Sequence, residues 1–195
     1  RRENIRREDR MKIAIPQLSL EQLRQIAPAA SLATEADREI LRQQLGRIPR
    51  GLVGIAARCC CGNPAVTITY PRLEDGSPFP TTFYLSLPSL VKEISRIEST
   101  GGMEAMNEEL RVNEELATQY RHAHEIYVQR RELMEEVPEI AGKSAGGMPD
   151  RIKCLHALAG YALAVGAGIC PFGDRALQQA GWDTKICRCG AAARN

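Results

Sequence analysis

Between Gly51 and Ser89 the hydrophobic pattern changes period, and this change constrains the fold more than any other feature of the chain. Three runs, 52–57, 65–70 and 81–87, are short, rich in β-branched or aromatic residues, and separated by Gly, Pro, Asn and Asp. That is the composition of strands and their turns. Tight connections of this kind join antiparallel neighbours. The runs therefore predict a small antiparallel sheet of about three strands.

Helical patterns flank the sheet on both sides. Ser19-Leu20-Glu21-Gln22 has the form of a capping box and predicts a short helix through Ile26. Thr34 is placed to cap a second helix, with an apolar stripe of Ile40, Leu41 and Leu45 that stops near Gly46. Beyond Ser89, the stripe Val91, Ile94, Ile97 ends at Gly101-Gly102. A longer charged helix is expected over 113–136, with Leu116, Tyr120, His124, Tyr127 and Arg131 on one face. After a loop at 138–147, Pro149 has the position of a first helical residue. That helix is expected to run to Val165, apolar on both sides and hence buried, with a short helix following at 175–180. The expected architecture is α+β, with the sheet packed against a mostly helical C-terminal half. Residues 1–18 are expected to form a basic, flexible arm ahead of one domain over 19–195.

Charge narrows the functional classes. Residues 1–58 carry 12 Lys/Arg against 7 Asp/Glu, whereas residues 103–136 carry 4 Arg against 9 Glu. Nucleic-acid binding calls for a concentrated basic face, preferably with aromatics for stacking. Here the N-terminal arginines alternate with Glu3, Glu8 and Asp9, the pattern of a solvated arm. The charged start leads into no apolar segment, so no secretory signal is expected. The weakly polar stretch 154–172 is interrupted by His156 and by Gly160, Gly166 and Gly168, so it lacks the roughly 20 consecutive apolar residues of a membrane span and reads as a buried helix.

The seven cysteines stand at 59, 60, 61, 154, 170, 187 and 189. Without a secretory signal, a disulfide framework is not expected, and the clustering suits metal or redox chemistry in the cytoplasm. Cys59-Cys60-Cys61-Gly62 and Cys187-Arg188-Cys189-Gly190 repeat one pattern. In an extended segment Cys59 and Cys61 point one way and Cys60 the other, and the glycine lets the backbone turn around an ion. Cys59, Cys61, Cys187 and Cys189 together supply four thiolates for tetrahedral zinc.

A second constellation is Gly146-Gly147-Met148-Pro149-Asp150-Arg151-Ile152-Lys153-Cys154-Leu155-His156. If the helix starts at Pro149, the paired glycines leave free N–H groups near Gly147, Arg151 and Lys153, an anion site. On such a helix Cys154 and His156 point to different faces and do not share an ion. A third stretch, 71–81, holds Asp75-Gly76 and two prolines, a rigid turn between strands.

Three ordered motifs carry a resemblance. They are Arg58-Cys59-x-Cys61-Gly62-x-Pro64, Pro71-Arg72-Leu73-x-Asp75-Gly76-x-Pro78-Phe79-Pro80-Thr81, and Gly147-Met148-Pro149-Asp150-Arg151-x-Lys153-Cys154-Leu155-His156. Over about 45–174 the chain resembles the bacterial family known as domain of unknown function 501. Cys60 stands where that family commonly has proline, and Cys170 where its closing motif has asparagine. The resemblance implies no activity.

Three functions are compatible with these residues. The first is a cysteine-rich, zinc-stabilised module that binds another protein or a small anion. The second is an enzyme whose cleft gathers Cys154, His124, Asp150 and His156, together with Cys61 and Asp75, on a phosphate-bearing or other anionic small molecule. In it Cys154 is a nucleophile favoured by nearby Arg151 and Lys153. The third is a thiol redox protein, since neighbouring thiols form reducible disulfides.

Overall fold

The structure, a computed structural model, describes residues 12–189. Most of the basic arm and Gly190 lie outside the described residues. Residues 12–18 run without regular structure, but they are tied to the body: the Ile13 amide donates to the Glu74 carbonyl, and Leu18 is buried.

Two capped helices open the fold. In α1 (Leu20–Ile26) the Ser19 hydroxyl accepts from the Gln22 amide at 3.2 Å, and the Gln22 side chain accepts from the Ser19 amide at 2.8 Å. In α2 (Glu35–Leu45) Thr34 and Asp37 exchange the same pair of bonds. Each box satisfies N–H groups that a helix start otherwise leaves without partners. Gly46, in the left-handed conformation at φ 74°, ends α2.

The sheet follows as β1 (Leu52–Arg58), β2 (Pro64–Thr69) and β3 (Phe83–Leu85), antiparallel and in the order β1-β2-β3. Ile55 lies opposite Thr67, and Val66 opposite Leu85. The third strand is shorter than the 81–87 expected, because Pro88 already begins α3 (Pro88–Ser99) and draws the chain away. Every residue of β2 is buried, so the middle strand is covered on both faces. Leu41 of α2 joins Leu52 and Ile55 in a small cluster near β1.

The C-terminal half is helical. It contains α4 (Gly102–Val112), α5 (Glu114–Glu132), α6 (Leu155–Val165) and α7 (Pro171–Gln179), with a short 3-10 turn at Pro138–Ile140. On α5 the expected face is buried at Leu116, Tyr120, Tyr127 and Arg131, and His124 is half-buried. Phe83, Tyr127 and Tyr161 pack ring to ring at 4.9–5.7 Å, which ties β3, α5 and α6 into one core. Eight of the eleven residues of α6 are buried, as its two-sided apolar pattern implies.

Several helix boundaries depart from the sequence reading: α5 ends at Glu132 and not 136, and α7 begins at Pro171 and not 175. The stretch 102–112 forms its own helix, α4, which begins after Gly101 at φ 86° and buries only Met106 and Leu110. More consequentially, α6 begins at Leu155 and not at Pro149. The Arg151 amide donates to Gly147, and the Lys153 and Cys154 amides both donate to Gly146, so residues 149–154 form a turn held by those carbonyls. Gly146 and Gly147 adopt φ 68° and 95°, a region side chains disfavour.

Gly173 allows α7 to lie close on α6. A β-carbon there would stand 2.2 Å from the Leu158 carbonyl oxygen and 2.8 Å from the Ala162 methyl. By helix propensity alone, Gly173→Ala would stabilise by about 1 kcal/mol. The backbone clash reverses the sign, and a net loss of about 2 kcal/mol or more is expected in urea unfolding.

Candidate metal centre

The turn that joins β1 to β2 carries the first cysteines. The Cys59 amide donates to the Asn63 carbonyl and the Gly62 amide to the Cys59 carbonyl, with Gly62 at φ 94°. The segment is thus a tight turn and not the extended strand expected from its side-chain alternation. The correction leaves the pairing of Cys59 with Cys61 intact, because the turn aims both sulfurs at one point while Cys60 remains exposed outside the group.

Arg58 fixes this turn to the body of the protein. Its guanidinium donates to both carboxylate oxygens of Asp37 at 2.6 and 2.9 Å, to the Ser31 hydroxyl, and to the Gly62 carbonyl at 2.8 Å. One side chain therefore joins the start of α2 to the cysteine turn. Led by that hydrogen bond and opposed by burial, the Asp37 carboxyl is held down to about 2.

Beyond α7 the chain doubles back. The Trp182 amide donates to the Leu177 carbonyl, and Asp183 accepts from the amides of Lys185 and Ile186. The Arg188 guanidinium donates to the Gly181 carbonyl, and its amide donates to the Cys59 sulfur at 3.3 Å. Residues 187–189 consequently lie on the β1–β2 turn. The Cys61 and Cys189 sulfurs are 3.4 Å apart, and the four sulfurs of Cys59, Cys61, Cys187 and Cys189 all lie within 4.8 Å of one another. Tetrahedral zinc with bonds of about 2.3 Å requires sulfurs about 3.8 Å apart. The group fits a metal ion of that size.

Its electrostatics fit as well. Burial opposes ionisation of Cys59, but amides of Cys61 and Arg188 directed at its sulfur bring the thiol down to about 6. Burial and the neighbouring sulfurs of Cys61 and Cys59 push Cys189 up. One sulfur thus ionises readily and its neighbour resists, and a dication among them relieves that conflict.

The remaining candidates separate into two places. Cys154 and His156 come together, contrary to the expectation that they face apart. Cys154 precedes α6 in extended conformation, so the helical spacing between them does not apply. Glu98 of α3 completes the group: one ligand atom from each of Glu98, Cys154 and His156 lies within 4.8 Å of the others. Hydrogen bonding to His156 draws the Cys154 thiol below its ordinary range against the effect of burial, and the same bond raises His156. Cys154 and His156 line a cleft of about 620 Å³, walled by Leu45, Phe83, Leu85 and Val91, with Lys92 also on its lining.

The other proposed residues stand elsewhere. His124 pairs with the Ser144 hydroxyl at 2.8 Å, and burial lowers its pKa. Asp150, Arg151 and Lys153 are exposed, and the free amides expected beside Gly147 are engaged by the Gly146 and Gly147 carbonyls. Asp75 pairs with Arg50 and Ser77 in its surface turn. Sequence reasoning missed Glu98, Asp37 and Arg58 as site residues. Arg58 directly precedes the cysteines and carried a signal, whereas Glu98 is one acidic residue on a charged helix and carried none.

A family model described as "Protein of unknown function (DUF501)" matches residues 55–178. Cys187 and Cys189 lie beyond that match. No curated protein and no solved structure matches the chain.

Proposed function

Because this chain belongs to the DUF501 family, whose description assigns no activity, we propose its function from its own residues: a metal-clasped binding module. Cys59, Cys61, Cys187 and Cys189 hold one zinc ion as thiolates. The observation that carries this reading is the gathering of four sulfurs within 4.8 Å from segments far apart in sequence. With four thiolates the coordination shell is closed, the arrangement of structural rather than catalytic zinc. The ion fixes residues 182–189 on the β1–β2 turn, and its role is to hold the protein in a binding-competent shape.

The recognition surface is the cleft between α2, β3, α3 and α6. Its walls are apolar and Lys92 supplies a positive charge, which favours a small anionic ligand with an apolar body. Among the described residues, no helix is long and apolar enough to cross a membrane. A site built on thiolates works in a reducing compartment, which supports a cytoplasmic location.

The test is elemental mass spectrometry of freshly purified, untagged protein. The Cys61→Ser and Cys187→Ser variants are each expected to lose about one equivalent of zinc per chain relative to wild type, and Cys60→Ser none. Zinc content unchanged in both variants would refute the clasp.

A further inference from the structure

We propose that Glu98, Cys154 and His156 form a second metal site, which shares no residue with the cysteine clasp and leaves one coordination position open to the apolar cleft. The surroundings of His156 fix where its ring carries a hydrogen. The Ser95 hydroxyl donates to the Val91 carbonyl at 2.8 Å, so its proton is already committed. The Nε2 atom of His156 lies 3.0 Å from the Ser95 oxygen and 3.2 Å from the Val91 carbonyl oxygen. Both neighbours are acceptors, so Nε2 carries a hydrogen. In neutral imidazole the lone pair is then on Nδ1.

That Nδ1 atom faces the Glu98 carboxylate, 3.2 Å from Oε1. A lone pair against a carboxylate is repulsive, so this contact needs either a second proton, which makes an imidazolium–carboxylate pair, or a metal ion between the two atoms. A divalent cation fits that place. Nitrogen and oxygen ligands at about 2.0–2.2 Å from tetrahedral zinc are themselves about 3.3 Å apart. The third donor, the Cys154 sulfur, belongs to the same group within 4.8 Å.

The surroundings are those of a ligand sphere held ready. A metal-bound histidine typically gives its other N–H to a carbonyl or hydroxyl, which fixes its tautomer and orientation, and Val91 and Ser95 do this for His156. The Glu98 Oε1 atom accepts the Leu155 amide at 2.7 Å, which fixes the carboxylate at the start of α6. Charge also closes: a dication balances one thiolate and one carboxylate beside a neutral imidazole. A bare thiolate–imidazolium pair beside Glu98 keeps a net negative charge.

Three protein ligands are the pattern of zinc sites that bind water or substrate in the fourth position. Cys154 and His156 both line the cleft of about 620 Å³, whose apolar walls accept a hydrocarbon body. The ligand class is therefore a molecule with an oxygen-donor head, such as a carboxylate, hydroxamate or carbonyl, and an apolar tail.

The experiment uses the full chain and zinc itself. Wild-type protein is expected to bind about two equivalents of zinc per chain, and Cys154→Ser, His156→Ala and Cys61→Ser about one each. Glu98→Gln keeps an acceptor for the Leu155 amide and so preserves the fold by circular dichroism. It is nevertheless expected to weaken zinc at this site by at least about tenfold. In cobalt-loaded protein, an alkyl hydroxamate is expected to shift the visible spectrum of wild type and Cys61→Ser, and not that of Cys154→Ser. One equivalent of zinc, unaffected by Cys154→Ser and His156→Ala, overturns this site and leaves the clasp standing. One equivalent lost only in those two variants overturns the clasp and supports this site. Zinc-free Cys154 that alkylates rapidly at neutral pH and binds no added zinc overturns it in favour of a thiolate–imidazolium pair.

Discussion

Arg58→Ala is expected to destabilise the protein by about 3–5 kcal/mol, because it leaves the buried Asp37 carboxylate without its partner. Asp37 is 4% exposed. Both of its oxygens face the guanidinium, and this is the one ion pair that Arg58 makes among the described residues. The same substitution removes a donor from the Gly62 carbonyl and slackens the turn that carries Cys59 and Cys61. Zinc affinity is therefore expected to fall along with stability, a joint loss that a surface ion pair would not produce. The double variant Arg58→Ala/Asp37→Asn is expected to regain part of the stability, since no charge is then stranded.

The pH dependence of this pair has a definite sign. Arg58 depresses the folded pKa of Asp37 from 3.8 to about 2. A depressed carboxyl stabilises the fold above its unfolded pKa, and that contribution, about 2 kcal/mol, is lost as pH falls from about 4 through 2. The deficit of Arg58→Ala relative to wild type should accordingly narrow over that interval. Urea unfolding at a series of acid pH values measures it, and a deficit that widens on acidification would refute the pairing.

Arg131→Met is expected to cost at least about 3 kcal/mol, although methionine conserves much of the length and removes a buried charge. Arg131 is 1% exposed and makes no ion pair among the described residues. Instead it donates to the carbonyls of Ile140 at 2.9 Å, Lys143, and Pro80 at 3.4 Å. Burial lowers its pKa, but three carbonyls share the charge. Removing it orphans acceptors that are walled off from water. The loop it holds leads directly to Gly146, whose carbonyl receives the amides of Lys153 and Cys154. Arg131→Met is thus expected to loosen the placement of Cys154 as well. Hydrogen exchange at residues 141–154 reads that effect apart from global unfolding, and protection unchanged there would refute it.

These cases show which parts of the chain can be read without coordinates. The caps at Ser19 and Thr34 were legible because each uses a partner three residues away. The antiparallel sheet was legible because its turns are local. The helix expected at Pro149 failed although proline is a sound local signal, because the carbonyls of Gly146 and Gly147 captured the amides first. That error in turn produced the expectation that Cys154 and His156 diverge. The cysteine pairs announced their chemistry in sequence, but their meeting depends on how α7 turns back, a tertiary outcome with no local signature. Glu98 could not be singled out, since nothing distinguishes it from the other acids of its helix until α6 is packed beside it.

The meeting of Cys61 and Cys189 also sets an order of events. The two are separated by 128 positions, with nearly the whole family-matched region between them. During synthesis, at about 5–20 residues per second, the first thiol pair emerges roughly 6–25 s before the second. Throughout that interval the β1–β2 turn can offer an ion only half of its ligands. In the proposed clasp this contact closes a ring of polypeptide that cannot form before Cys187 and Cys189 have been made. An ion held only by the folded chain stabilises it by its own binding free energy and not by constraining the unfolded chain. An ion held by the proposed clasp would act as a lock set after the sheet and helices are in place, and a chain truncated before Cys187 would have no means of setting it.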